Sequence, residues 1–146
     1  MSYEPETLVD DTLNCGFFSF SGTPSVNNPL TPAIVGQSSN LGASISSNNI
    51  QLPAGEYLLR FFGAITRTTN SHNLMYKWRH VGIGLVGMVG STNREVPTGN
   101  LTNSIDSADA HIISDTAFSV QLEITSAESD LTLDTTSTHA VIWGVS

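Results

Sequence analysis

Phe118-Ser119-Val120-Gln121-Leu122-Glu123-Ile124-Thr125 alternates an apolar with a polar residue at every step. Only an extended backbone sends successive side chains to opposite sides, so the run predicts a strand with one buried and one wet face. The surrounding composition points the same way. The 146 residues include 19 Ser, 16 Thr and 11 Asn, while charged residues make up 12% against about 25% in an ordinary globular chain. Hydroxyls and amides therefore supply most of the polarity, which suits pleated surfaces and turns and weakens helix interiors.

Other segments repeat the signal. Cys15–Phe20 is an aromatic-rich strand candidate closed by Ser21-Gly22-Thr23-Pro24. Pro24, Pro29 and Pro32 then stand among Ser, Asn and Gly as far as Asn40, which predicts an extended crossing loop. Ala43–Ser46 and Ile50–Leu52 are short strand fragments. Pro53-Ala54-Gly55 is a turn feeding Glu56–Ile65, a run apolar at both parities and so expected to be covered on both sides. Leu74, Tyr76 and Trp78 alternate with Lys77 and Arg79 in a half-exposed strand.

Four glycines in Val81–Gly90 let a strand bend or approach another backbone closely. The region 91–107, with Pro97 and Gly99, reads as a loop; Ala110–Ser114, Leu131–Asp134 and His139–Val145 read as strands. Strand starts every ~8–12 residues without a helical period define a β-sandwich or a barrel. The length suits one domain, with residues 1–11 as a polar N-terminal arm and 12–146 as the folded unit.

Several function classes lose their footing on composition. Five Lys and Arg against thirteen Asp and Glu, net charge −8, leave too few cations to neutralise phosphates, so neither nucleic acid nor an anionic membrane is an expected partner. No apolar run approaches the roughly 20 residues that span a bilayer. The start Met1-Ser2-Tyr3-Glu4-Pro5-Glu6 carries no signal-peptide pattern, and synthesis in a cytosol is expected.

Chemistry-bearing motifs are equally thin. His72, His80, His111 and His139 have no metal spacing, and Asp106, Asp109, Glu128, Asp130 and Asp134 are too dispersed for a calcium loop. Cys15 beside Phe17 and Phe18 reads as a small buried hydrophobe. No Gly-x-Ser-x-Gly elbow or Walker pattern is present. The expectation is a non-enzyme with no cofactor and no metal. Arg60, Arg67, Lys77 and Arg79 would form one modest basic patch if their strands pair. Few charges and a strand apolar at both parities predict self-association, which hides apolar surface that soluble monomers seldom expose.

The order Leu52-Pro53-Ala54-Gly55-Glu56-Tyr57-Leu58-Leu59, a polar loop with His72 leading into a Leu-rich strand, the Phe118 run and a final strand resembles the tumour-necrosis-factor and C1q-like jelly rolls. It is most similar to the small versions in tailed-phage virion proteins, where a Pro-Ala-Gly-x-Tyr phrase opens a central strand. The resemblance covers residues 43–146. It implies an all-β jelly-roll sandwich assembling as a homotrimer, with apolar strand faces lining the three-fold axis. Candidate axis residues are Tyr57, Leu59, Phe61, Phe62 and Trp143.

The collagen-like stalk and the membrane anchor of signalling relatives are missing from the sequence. A capsid decoration protein on the virion surface is therefore the expected function, its partner the major capsid protein lattice. Residues 1–20 are the contact segment, through Tyr3, Leu8, Leu13 and Phe17. The alternative is a tail-fibre tip that recognises a host surface receptor or glycan through loops 67–73 and 91–107, with Tyr76 and Trp78 stacking on sugar.

Overall fold

The computed structural model of the chain describes residues 14–66, 72–95, 102–128 and 131–145; the predicted arm 1–11 lies outside them. The strands among them are β1 (Cys15–Ser21), β2 (Thr31–Gln37), β3 (Ser44–Ser46), β4 (Asn49–Leu52), β5 (Gly55–Phe62), β6 (His72–His80), β7 (Gly84–Glu95), β8 (Thr102–Asp106), β9 (Ala108–Ser114), β10 (Phe118–Ala127) and β11 (His139–Val145). They form two antiparallel sheets. The first has the order β2-β1-β11-β5-β9 and the second β3-β4-β10-β6-β7-β8. Chain-end strands β1 and β11 pair, Phe17 opposite Val141, so the sheet closes on contacts between residues far apart in sequence. This is a jelly-roll β-sandwich.

The core lies between the sheets, where alternate residues of facing strands meet. Phe61 is its centre: its ring stands edge-on to Phe20 (5.1 Å), Tyr76 (4.7 Å) and Trp78 (6.5 Å). Buried aromatic heads need partners for their polar tips. The Trp78 indole N–H donates to Ala108 O and the Tyr76 hydroxyl to Asp106 O, each at 3.0 Å, which ties β6 to the chain passing into the first sheet. β7 approaches that same chain at Gly87, whose φ is +79° and where a Cβ would strike Asp109 O. The glycine-rich run is thus used for a bend and a close backbone approach, as its sequence predicts.

Three expectations need correction. The proline-bearing stretch contains β2, because an edge strand needs only one side of its backbone paired and tolerates Pro32 opposite Phe20. The 91–107 loop is largely a hairpin: β7 runs through Glu95 and β8 pairs back onto it, Ser91 opposite Asp106. Leu131–Asp134 contributes one isolated bridge, Ile65 to Leu133, and then a turn.

β5 is apolar at both parities, and the core covers it at one; the sequence leaves the other to a second layer or to a partner chain. Tyr57, Leu59 and Phe61 are buried, whereas Leu58 and Arg60 are exposed and Phe62 is half-buried. Among the described residues no further layer of the chain lies over that outer side. β10 keeps its alternation, with one departure. Glu123 is only 5% exposed, because residues 27–30 run beside β10, Leu30 N–H donating to Leu122 O and Asn27 N–H to Ile124 O.

Candidate functional site

The outer face of the first sheet is where the residues of β1, β11, β5 and β9 that do not enter the core collect. Register places them in rows. One row is Cys15, Trp143, Leu58, His111; the next is Phe17, Val141, Arg60, Asp109. Flanking them are Val145, Glu56, Ile113 on one side and Ser19, His139, Phe62 on the other. Exposure is high for large apolar groups: Phe17 51%, Leu58 45%, Trp143 40%, Ile113 68%. The β7 bend adds Met88, 73% exposed, at the rim of a shallow depression of about 420 Å³ that Leu58, Trp143, Arg60 and His111 also line.

Charged groups on this face are matched to one another. Arg60 donates two bonds to Asp109, Nε to Oδ1 at 2.9 Å and Nη2 to Oδ2 at 3.3 Å, and the carboxylate holds the guanidinium pKa above its ordinary value. His111 Nε2 lies 2.8 Å from Glu56 Oε2. His139 stacks on Phe62 with ring centroids 5.3 Å apart. An apolar surface whose ions come already paired loses less on desolvation than one whose ions are paired only to water.

The outer face of the second sheet differs. Arg79 is bonded to Glu123, which raises the arginine pKa, and Lys77 stands directly opposite Glu123 in the register. Gln121 donates to Asn49 Oδ1, and the Ser44 hydroxyl to Gln51 Oε1. Lys77 and Arg79 are therefore on the opposite side of the sandwich from Arg60, and the four cations do not form one patch; Arg67 lies outside the described residues.

The predicted site residues separate by strand parity. Tyr57, Leu59 and Phe61 are 5%, 1% and 0% exposed, and side chains that fill their own core have no surface to line an axis. Phe62 and Trp143 do lie on the outer face. Phe17, taken as a capsid contact, stands in the same face opposite Val141; Tyr3, Leu8 and Leu13 lie outside the described residues. The sequence reading missed Leu58, Val141, Ile113, Val145 and Met88. For Leu58 and Ile113 the signal was present as the second parity of apolar strands, but which parity faces outward is set by the partner strands.

Tyr76 and Trp78 are fully buried, so neither can stack on a sugar, and the hairpin β7–β8 replaces one proposed recognition loop; most of the other, 67–71, lies outside the described residues. Among the described residues no three His, Cys, Asp or Glu side chains gather as a metal site. Asp134 is instead a turn carboxylate. Its Oδ1 accepts from the Thr136 hydroxyl (2.7 Å) and N–H (3.1 Å), and these bonds lower its pKa.

No protein-family model matches the sequence, and no curated protein matches it. Among solved structures it is similar to murine APRIL. The crystal structure at pH 5.0 aligns with a TM-score of 0.54 and 12% identity, over 90% of this chain and all of that one. The crystal structures at pH 8.0 and pH 8.5 align with TM-scores of 0.52 and 0.53 at 12% identity, over 90% of this chain and 98% of those. The chain has a TNF-like jelly-roll fold.

Proposed function

We propose that this chain is a structural virion protein, a homotrimeric decoration protein of a phage capsid that binds the major capsid protein lattice and stabilises the shell. The observation that carries the reading is the outer face of the first sheet, where Phe17, Leu58, Trp143, Ile113 and Val145 lie open to water in one copy. Contiguous apolar patches of this kind mark interaction sites. A closed ring of copies buries such a patch on every subunit, and the TNF-like fold favours a ring of three. Three identical capsid contacts on one particle then act together through effective concentration, so weak individual bonds hold the shell.

The Arg60–Asp109 ion pair on the same face can be buried without stranding the arginine's charge, and the net charge of −8 favours a protein partner over nucleic acid. The function asks for no catalytic group. Sedimentation equilibrium of the purified protein tests the assembly: a mass of three chains is expected, and a 15.6 kDa monomer at micromolar concentration overturns it. Co-sedimentation with heads prepared without the chain tests the partner. Absence of binding to heads, with binding to host cells retained, assigns the protein to the tail instead.

A further inference from the structure

A second apolar feature lies away from the sheet faces, in the turn joining β6 to β7. Val81, Ile83 and Leu85 are 40%, 73% and 42% exposed within five residues. Chance exposure of one isoleucine needs no explanation, but three alternate apolar side chains on a tight turn of a Ser, Thr and Asn-rich protein do. The turn is also pinned. Ile83 N–H donates to His80 O at 2.9 Å and Val81 N–H to Ser119 O at 3.0 Å. Gly82 and Gly84 take φ of +88° and +140°, with nothing within 4 Å of the place a Cβ would occupy. These glycines thus serve the turn and not the packing, and a preformed turn loses little conformational entropy on docking.

Its position follows from register. Gly55 opposite Ser114, Glu56 opposite Val145 and Phe118 opposite Leu52 define one end of the sandwich, and Val120 opposite His80 brings the turn to that end. Gly144 N–H donates to Asn14 O at 2.7 Å, so Asn14 lies at the same end. The cation nearest the turn along β6, Arg79, is already bonded to Glu123. A chain of net charge −8 is repelled by anionic lipid, and nothing at the tip offers a phosphate a free cation from that ion pair.

We infer that the β6–β7 turn is a docking tip whose Ile83, flanked by Val81 and Leu85, inserts into an apolar, uncharged socket on the protein shell. This rests on the decoration reading and names the end of the domain that meets the lattice. A few anchors in fully desolvated pockets carry most of the energy of such contacts.

The test uses the full chain and heads prepared without it. Ile83→Asp lowers affinity for heads by at least about tenfold with the oligomeric mass unchanged. Ile83→Leu, and Val26→Asp at an exposed apolar site in another loop, bind like the wild type. If Ile83→Asp binds as tightly as the wild type, the tip is overturned and decoration stands. If Val26→Asp loses binding equally, the effect is general and the tip is overturned as well. Should the wild type itself fail to bind heads, decoration and tip fall together. Binding of the wild type to phosphatidylcholine vesicles, lost in Ile83→Asp, assigns the tip to lipid and overturns the protein socket.

Discussion

The two sheets bury their inner faces against one another in one core, yet their outer faces are built from different chemistry. On the second sheet the outward positions of β6 and β10 are Lys77, Arg79, Gln121 and Glu123, linked by an ion pair and satisfied amides. On the first, the corresponding positions of β1, β5, β9 and β11 are Phe17, Leu58, Ile113 and Trp143 around the Arg60–Asp109 ion pair and the His111–Glu56 contact. The same antiparallel pleat, exposed to the same solvent, would favour the same polar outer residues. The contrast teaches that the first sheet's outer face was not selected to meet water.

The contrast can be broken first along β5, where neighbouring residues point to opposite sides. Phe61→Ala removes the ring at the centre of the core and costs about 3–5 kcal/mol of folding free energy, read by denaturant unfolding. Leu58→Asp leaves folding intact and, in the proposed homotrimer, puts an unpaired carboxylate in every copy of the interface. It weakens assembly by more than about a hundredfold, so sedimentation shows monomers. If instead Leu58→Asp unfolds the chain while Phe61→Ala only dissociates it, the assignment of inner and outer faces is reversed.

Two ion pairs, one on each outer face, sharpen the comparison. Glu123 is 7% exposed at its side chain, so Glu123→Ala takes a hydrogen-bonded carboxylate from beneath Arg79 and lowers the unfolding midpoint clearly without changing the oligomeric mass. Asp109 and Arg60 are 41% and 50% exposed in one copy, so Asp109→Ala in the Leu58→Asp background leaves the midpoint unmoved. In the assembled protein the same change weakens association, because Arg60 is then left without its partner in a desolvated face. Equal effects in both backgrounds would place Arg60 outside the interface.

The smallest effect belongs to the turn beside both faces. Asp134 has a folded pKa below its ordinary 3.8, held there by Thr136. Its stabilising contribution is present above that ordinary value and is lost as pH falls through the lower folded one. Asp134→Asn should flatten the acid limb of the thermal midpoint below about pH 4 by lowering the midpoint slightly near neutrality and leaving it unchanged in stronger acid. A mutant whose acid limb stays as steep as the wild type's would assign that limb to other carboxylates.

Much of this architecture was readable from local pattern. The Phe118 run and the inward set Leu74, Tyr76 and Trp78 follow from period-two alternation and, Glu123 apart, are buried as that period requires, while the strand at Cys15–Phe20 was marked by its aromatic residues. Pattern alone left a sandwich or a barrel open; the TNF-like jelly roll came from the resemblance to a known family that the order of such phrases carries. Less legible was anything that depends on a partner strand. Pro32 fits β2 because β1 lies on one side only, and residues 91–95 continue β7 because β8 returns to pair with them. Among the axis candidates, Phe62 and Trp143 reach the outer face and Tyr57, Leu59 and Phe61 do not, a choice that a strand apolar at both parities leaves open.

Residue order and composition alone were enough for an all-β chain of low charge, for most of its strands, and for one segment, Glu56–Ile65, apolar at both parities. Those properties are local, written in the alternation of neighbours and the chemistry of turn residues. Which apolar set goes inside was decided by the sandwich. A strand has two faces separated by a single residue, so one step of register exchanges every side chain between core and solvent. Only the pairing of β5 with β11 and β9 turns Phe61 inward and leaves Leu58 beside Trp143 on an open face.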